Sequence, residues 1–190
     1  MLGYGAECTR FFPQVCYLFN EVLPLCLNSR FDTEDYGFPF FDEDMTATDI
    51  WYTSPYGPRA LTGRKHYGID LGCDEGTPIH AAADGIVRAA GYDSEWDGAN
   101  GALCLQHITG KTYTRYLHCS EFLVSAGERV VRGQVIARTG NVATFTTGPH
   151  LHFEIGIGDA MGPGTQSSDP AEYYPYFFTV VGVGEQLLPA

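Results

Sequence analysis

Two short phrases, His66-Tyr67-Gly68-Ile69-Asp70 and His150-Leu151-His152, stand far apart in the chain, yet the side chains they carry belong together chemically. Imidazoles and a carboxylate are ligands that a single zinc ion takes at about 2.0 to 2.2 Å, and a zinc site that performs chemistry keeps three protein ligands and one open position. A chain that uses these phrases jointly must fold until Asp70 and His150 are neighbours. His150 and His152 are two positions apart, so on a strand both side chains look at the same point. Either one can then serve the metal while the other works beside it. The step from His66 to Asp70 shares a face on a helix and on a strand alike, but Gly68 and the alternation of Ile69 and Leu71 before Gly72 favour an extended segment. The phrase His-Glu-x-x-His is absent, so the helical zinc-site plan does not apply.

The rhythm of the rest of the chain agrees with strands. From Met45 onward, short apolar or alternating runs are divided by turn residues: Thr77 to Ala83, Gly85 to Ala90, Ala102 to Ile108, Thr112 to His118, Arg129 to Ala137 and His150 to Ile157. Such spacing predicts a mainly β fold, a small antiparallel sheet or sandwich. Thr109-Gly110 marks a hairpin, and Asp84-Gly85 and Arg132-Gly133 mark further turns. Tyr92 to Gly101, with Asp93, Glu95 and Asp97, reads as a long surface loop, and Gly158 to Ser168 as a Gly/Ser-rich connection. Residues 1–44 differ in character and form a helical or irregular extension to a main domain over residues 45–190. Within it Val15, Leu18, Phe19, Val22 and Cys26 recur at helical spacing after Pro13, and an acidic run follows from Asp32 to Asp44. An amphipathic helix docking on the main domain is expected there, with attachment to a larger assembly as the alternative.

Composition narrows the partners. A net charge of -12 on 190 residues leaves no basic stripe to displace counterions from phosphates, which argues against a nucleic-acid partner. No stretch approaches the roughly 20 apolar residues that cross a bilayer. Residues 1–30 lack a basic segment followed by an uninterrupted apolar one, so no signal peptide is recognisable. The six Cys form no Cys-x-x-Cys pair and are expected to be buried thiols, with a disulfide as the alternative.

Further phrases join the first two in a fixed order. Ser54-Pro55-Tyr56-Gly57-Pro58-Arg59 precedes His66 to Leu71, and Gly76-Thr77-Pro78-Ile79 and Ala82-Ala83-Asp84-Gly85-Ile86-Val87 follow it. Thr114-Arg115-Tyr116-Leu117-His118, Gly127-Glu128-Arg129-Val130, Arg132-Gly133-Gln134-Val135-Ile136 and Gly148-Pro149-His150-Leu151-His152-Phe153-Glu154 complete the series. From Ser54 to Tyr174 the chain resembles the lysostaphin/LytM-type zinc metallopeptidases. That resemblance implies the duplicated hybrid motif fold, a small antiparallel β structure with an open substrate groove. It implies one Zn2+ per chain held by His66, Asp70 and His152, with His118 and His150 as catalytic histidines that do not bind the metal. The implied activity is hydrolysis of peptide bonds in bacterial peptidoglycan, in cross-bridges or stem peptides, on the cell wall. Because no signal peptide is recognisable, carriage on a phage particle is expected, with export by a route that leaves no N-terminal mark as the alternative. A catalytically inactive scaffold of the same fold, binding peptidoglycan or a partner, is the competing reading.

Residue chemistry fits these roles. Zinc lowers the pKa of a water toward about 7 and polarises a carbonyl. A neutral imidazole suits His150 as the base that takes the water's proton, and His118 is assigned to the developing oxyanion, the two roles being exchangeable. Alternation places His118 on one face with Tyr116 and Thr114. Glu154 shares a strand face with His152 and reads equally as a carboxylate that orients the ligand or as a plain core-edge residue. His80, His107 and Cys73 read as structural, and Tyr67, Tyr113 and Tyr116 as packing residues before substrate contacts. The acidic loop reads as solvated before it reads as a groove wall.

Overall fold

The structure, a computed structural model, describes residues 36–40, 50–59, 63–92, 101–107, 111–143, 146–157, 166–174 and 183–187. The helix expected after Pro13, the acidic residues around 32–44, loop residues 93–100, the Thr109-Gly110 turn and residues 158–165 of the Gly/Ser-rich connection lie outside the described residues.

In chain order the strands are β1 (Ile50–Ser54), β2 (Gly57–Pro58), β3 (Lys65–His66), β4 (Ile69–Gly72), β5 (Pro78–His80), β6 (Gly85–Gly91) and β7 (Ala102–His107). They continue with β8 (Thr112–Leu117), β9 (Glu121–Phe122), β10 (Arg129–Val130), β11 (Val135–Arg138), β12 (His150–Ile157), β13 (Ser167–Ser168) and β14 (Gln186–Leu187). The main sheet runs β10-β6-β7-β8-β12-β4-β1-β14, with β13 also on β12, while β5-β11-β9 and β2-β3 form two small sheets. Every pairing is antiparallel, and the large sheet is open, with different strands at its two edges. The mainly β antiparallel expectation is therefore met.

Alternation explains where the core lies. On β12, Leu151, Phe153 and Ile155 point to one side and are wholly buried with Ile69, Leu71, Leu103, Leu105 and Tyr116. Each such side chain contributes about 1.5 to 3 kcal/mol on leaving water. The Tyr116 hydroxyl stays satisfied there, accepting from the Ala82 amide at 2.8 Å and lying 3.0 Å from Thr114 Oγ1. The other side of β12 carries His150, His152, Glu154 and Gly156, and that face holds the site.

Tyr36–Phe40 joins the same core, although it precedes Met45. Tyr36, Phe38 and Phe40 are buried, the Gly37 amide donates to Ala82 O at 2.6 Å, and Pro39 O accepts from the His80 amide at 2.9 Å. Tyr174 stacks edge-on against Phe38, 5.4 Å between centroids, and donates its hydroxyl hydrogen to Gly37 O at 3.0 Å. The stretch Arg129 to Ala137 divides into β10 and β11 around the Arg132-Gly133 turn, where Gly133 has φ of 83°. Cys73, Cys104 and Cys119 are free thiols, and burial pushes each thiol pKa upward. Among the described residues no helix is long and apolar enough to cross a membrane.

Candidate metal centre

Register brings the two opening phrases together. β4 and β12 are paired so that Asp70 stands opposite His152 and Gly72 opposite His150. Residues directly opposite in an antiparallel pair project to the same face, so Asp70 and His152 meet without any loop to position them. His66 arrives on β3, where it is opposite Gly57 of β2. Gly68 gives the phrase its clearance against β12. A Cβ on it would lie 2.3 Å from Phe153 O and 2.9 Å from Glu154 Cγ, so only glycine lets β12 approach this closely.

Three ligand atoms converge. His66 Nε2 is 3.1 Å from Asp70 Oδ1 and 2.9 Å from His152 Nδ1, and His152 Nδ1 is 2.8 Å from Asp70 Oδ1. All three residues are largely buried. Tetrahedral zinc with ligands at about 2.0 to 2.1 Å sets those ligands about 3.3 to 3.4 Å apart, so the triangle fits after opening by a few tenths of an ångström. In the neutral rings a metal takes, the lone pairs face inward. His66 Nδ1 donating to Pro55 O at 2.6 Å then leaves Nε2 unprotonated, and His152 Nε2 donating to Glu154 Oε1 at 3.0 Å leaves Nδ1 unprotonated. Two imidazoles and one carboxylate with this donor set hold a Zn2+ ion, and the cluster matches the single zinc site expected from the sequence.

Charge around the ligands is compensated. Arg59 Nη2 donates to Asp70 Oδ2 at 2.6 Å, so the carboxylate keeps Oδ1 for the metal side. Burial alone would raise the Asp70 pKa, but when protons rather than a metal occupy His152 Nδ1 and His66 Nε2, the hydrogen bonds those nitrogens donate overturn that and hold the carboxyl far below the usual carboxylate range. Burial would likewise lower the His152 pKa, yet its bonds to Asp70 and Glu154 raise it to about 9 in the metal-free chain. Glu154 Oε2 in turn accepts from Arg115 Nη1 at 2.9 Å.

His118 and His150 stand beside this cluster. Their ring centroids are 4.5 Å apart, His118 is 5.9 Å from the His152 ring, and His150 Nε2 is 3.8 Å from Asp70 Oδ1. Each is pinned through Nδ1, His118 to Val142 O at 3.0 Å and His150 to Gly148 O at 2.9 Å. Burial first, and the neighbouring His150 second, push the His118 pKa down to about 4. The route by which His118 reaches the site differs from the one expected. Thr114 and Tyr116 face the core, opposite Ile155 and Phe153, and strict alternation would send residue 118 the same way. His118 lies just beyond β8 with φ of 71°, a left-handed conformation, and so leaves the strand's alternation.

The remaining candidates separate cleanly. His107 is buried away from the cluster, 3.0 Å from both Asp84 O and Thr114 Oγ1. His80 and Cys73 are buried outside the three-ligand group. Tyr113 and Tyr116 are buried packing residues, whereas Tyr67 is exposed with Lys65 Nζ 5.3 Å from its ring centroid. Arg59 and Arg115 were not singled out from the sequence. Both sit inside the matching phrases, but nothing in those phrases says which carboxylate each would meet.

Residues 64–166 match the family model for peptidase family M23, and the chain belongs to that family. It is 38% identical over 100 residues to glycyl-glycine endopeptidase ALE-1 of Staphylococcus capitis, covering 53% of this chain and 26% of that protein. It is 43% identical over 112 residues to peptidoglycan DD-endopeptidase ShyA of Vibrio cholerae serotype O1, covering 54% and 24%. The solved catalytic domain of lysostaphin from Staphylococcus simulans superposes with a TM-score of 0.57 at 26% identity, covering 72% of this chain and 97% of that domain. The chain spans about a quarter of the length of these curated relatives.

Proposed function

We propose that this chain is a zinc-dependent endopeptidase that hydrolyses peptide bonds of bacterial peptidoglycan, acting outside the cytoplasm on the cell wall. One observation carries the reading: three ligand atoms converge within 3.1 Å of one another, and two further imidazoles stand beside them, in an M23-family fold. The name of the Vibrio cholerae relative supports the polymer, and the two endopeptidase names differ over the bond, so the bond stays open. Nothing observed favours the inactive-scaffold reading, because the whole ligand set is present.

In this reading a bound Zn2+ supplies Lewis acidity, lowering the pKa of a water and polarising the scissile carbonyl. His66 and His152 present unprotonated nitrogens toward the ion, and Arg59 restricts Asp70 to one oxygen. His150, whose Nε2 lies 3.8 Å from Asp70 Oδ1, carries its proton on Nδ1 and would take the attacking water's proton at Nε2. His118 has the same tautomer, so in its neutral form it too offers only a lone pair at Nε2. That supports His118 as a second acceptor that orients water. Binding an oxyanion, the role the sequence suggests, would first require a proton on His118 Nε2.

Mass spectrometry of soluble fragments released from walls of differing cross-bridge chemistry tests the reading. Fragments ending at one defined peptide bond are expected. Fragments cut only in the glycan, or none from any wall type, would refute it.

A further inference from the structure

We infer that Arg115 is a positioning residue for the metal centre, acting through Glu154 to hold His152 in its metal-binding orientation. Arg115 on β8 and Glu154 on β12 stand directly opposite one another in register, on the face that carries His152. Their side chains are 2% and 3% exposed. Removing an arginine and a glutamate from water is costly, and an apolar pair of similar size commonly gives equal or greater stability. A geometric task accounts for keeping the charges. The two oxygens of Glu154 are divided between partners: Oε2 accepts from Arg115 Nη1 at 2.9 Å and Oε1 accepts from His152 Nε2 at 3.0 Å. The guanidinium thereby fixes the carboxylate plane, and the carboxylate fixes the imidazole ring and keeps its proton on the nitrogen remote from Asp70 and His66. Partners of this kind govern ligand orientation and affinity in metal sites.

Gly156 provides the space for this arrangement. A Cβ there would stand 2.7 Å from Arg115 Nη2 and 3.0 Å from Nη1, so the alternate position of the same strand is left bare where the guanidinium lies. Arginine suits the place better than lysine, because a planar fork sets the orientation of its partner and a point charge does not.

The inference rests on the zinc-site part of the proposed function and not on the substrate. Its test is therefore a zinc dissociation constant, measured by competition with a chromophoric chelator on the full chain, beside thermal unfolding in excess zinc. Arg115→Met and Glu154→Gln are each expected to weaken zinc binding by about 10- to 100-fold. Arg115→Met/Glu154→Gln should be no weaker than Glu154→Gln alone, because the arginine acts through the glutamate. Ile155→Val, a core change on the same strand, should lower Tm and leave zinc affinity unchanged. Should a single variant fail to fold, the double variant, which strands no buried charge, decides by its own zinc affinity, expected about 10- to 100-fold below wild type. Wild-type affinity in folded Arg115→Met, or effects that add in the double variant, would overturn the inference while leaving the peptidase reading intact. A wild-type chain that binds no zinc would overturn both, and a chain that binds zinc normally but cleaves no wall would overturn only the peptidase reading.

Discussion

Four imidazoles share the site, and what distinguishes them is the partner of the second ring nitrogen. His66, His118 and His150 each give Nδ1 to a backbone carbonyl, and His152 gives Nε2 to a carboxylate. His66 and His152, as neutral rings, then aim lone pairs at the point Asp70 also faces, while in the proposed mechanism His118 and His150 keep theirs for a proton. Replacing His150 or His118 with Ala should accordingly leave zinc affinity within a few-fold of wild type and reduce turnover of a soluble peptide substrate by about 10²- to 10⁴-fold. Zinc titration beside steady-state kinetics separates this from a loss of metal. A pH effect follows from His118. Its folded pKa of about 4 lies below the unfolded value of about 6.5, so the unfolded chain binds the extra proton in between. The stabilising contribution is complete above about 6.5 and is lost as pH falls toward about 4. Denaturant unfolding of the metal-free protein should show a loss of roughly 1 to 3 kcal/mol across that window relative to His118→Gln, allowing for partial solvent screening. Parallel curves for the two proteins would refute the assignment.

At the scale of elements, the site is a product of strand register with one exception. β12 carries His150, His152 and Glu154 on one face, β4 brings Asp70 opposite, and Gly68 permits the approach. Gly68→Ala should cost about 1 to 3 kcal/mol or more, since the nearest atom is backbone and cannot swing aside. It should also weaken zinc binding, because residue 68 lies between two ligands. Calorimetric unfolding and zinc titration check both, and an unchanged Tm would contradict the packing described. Much of this was legible: period-two alternation located β6, β7, β8 and β12, and the ordered phrases located all three ligands. Three things were not. The turn of His118 depends on one left-handed residue after a strand, which alternation cannot anticipate. Arg59 and Arg115 find Asp70 and Glu154 through tertiary register, so their partners are invisible in a one-dimensional pattern. The burial of Tyr36, Phe38 and Phe40 was hidden by the acids on either side, although the three alternate as a core-facing strand would.

Across the whole molecule, the net charge of -12 bears on the proposed approach to a cell-wall substrate. Like charge repels it from walls rich in anionic polymers, and salt screens that repulsion over about 10 Å at 0.1 M. Hydrolysis of such walls should therefore hold steady or quicken as ionic strength rises from about 20 to about 150 mM. A sharp decline, followed by turbidity clearance, would instead reveal a cationic contact with the wall. The most direct measurement counts new amino termini released from purified peptidoglycan by the zinc-loaded protein, by the same protein after chelation, after zinc is restored, and by His152→Ala. Release that vanishes on chelation, returns with zinc and never appears with His152→Ala is the predicted result. Release that survives chelation, or that His152→Ala retains in full, would contradict it.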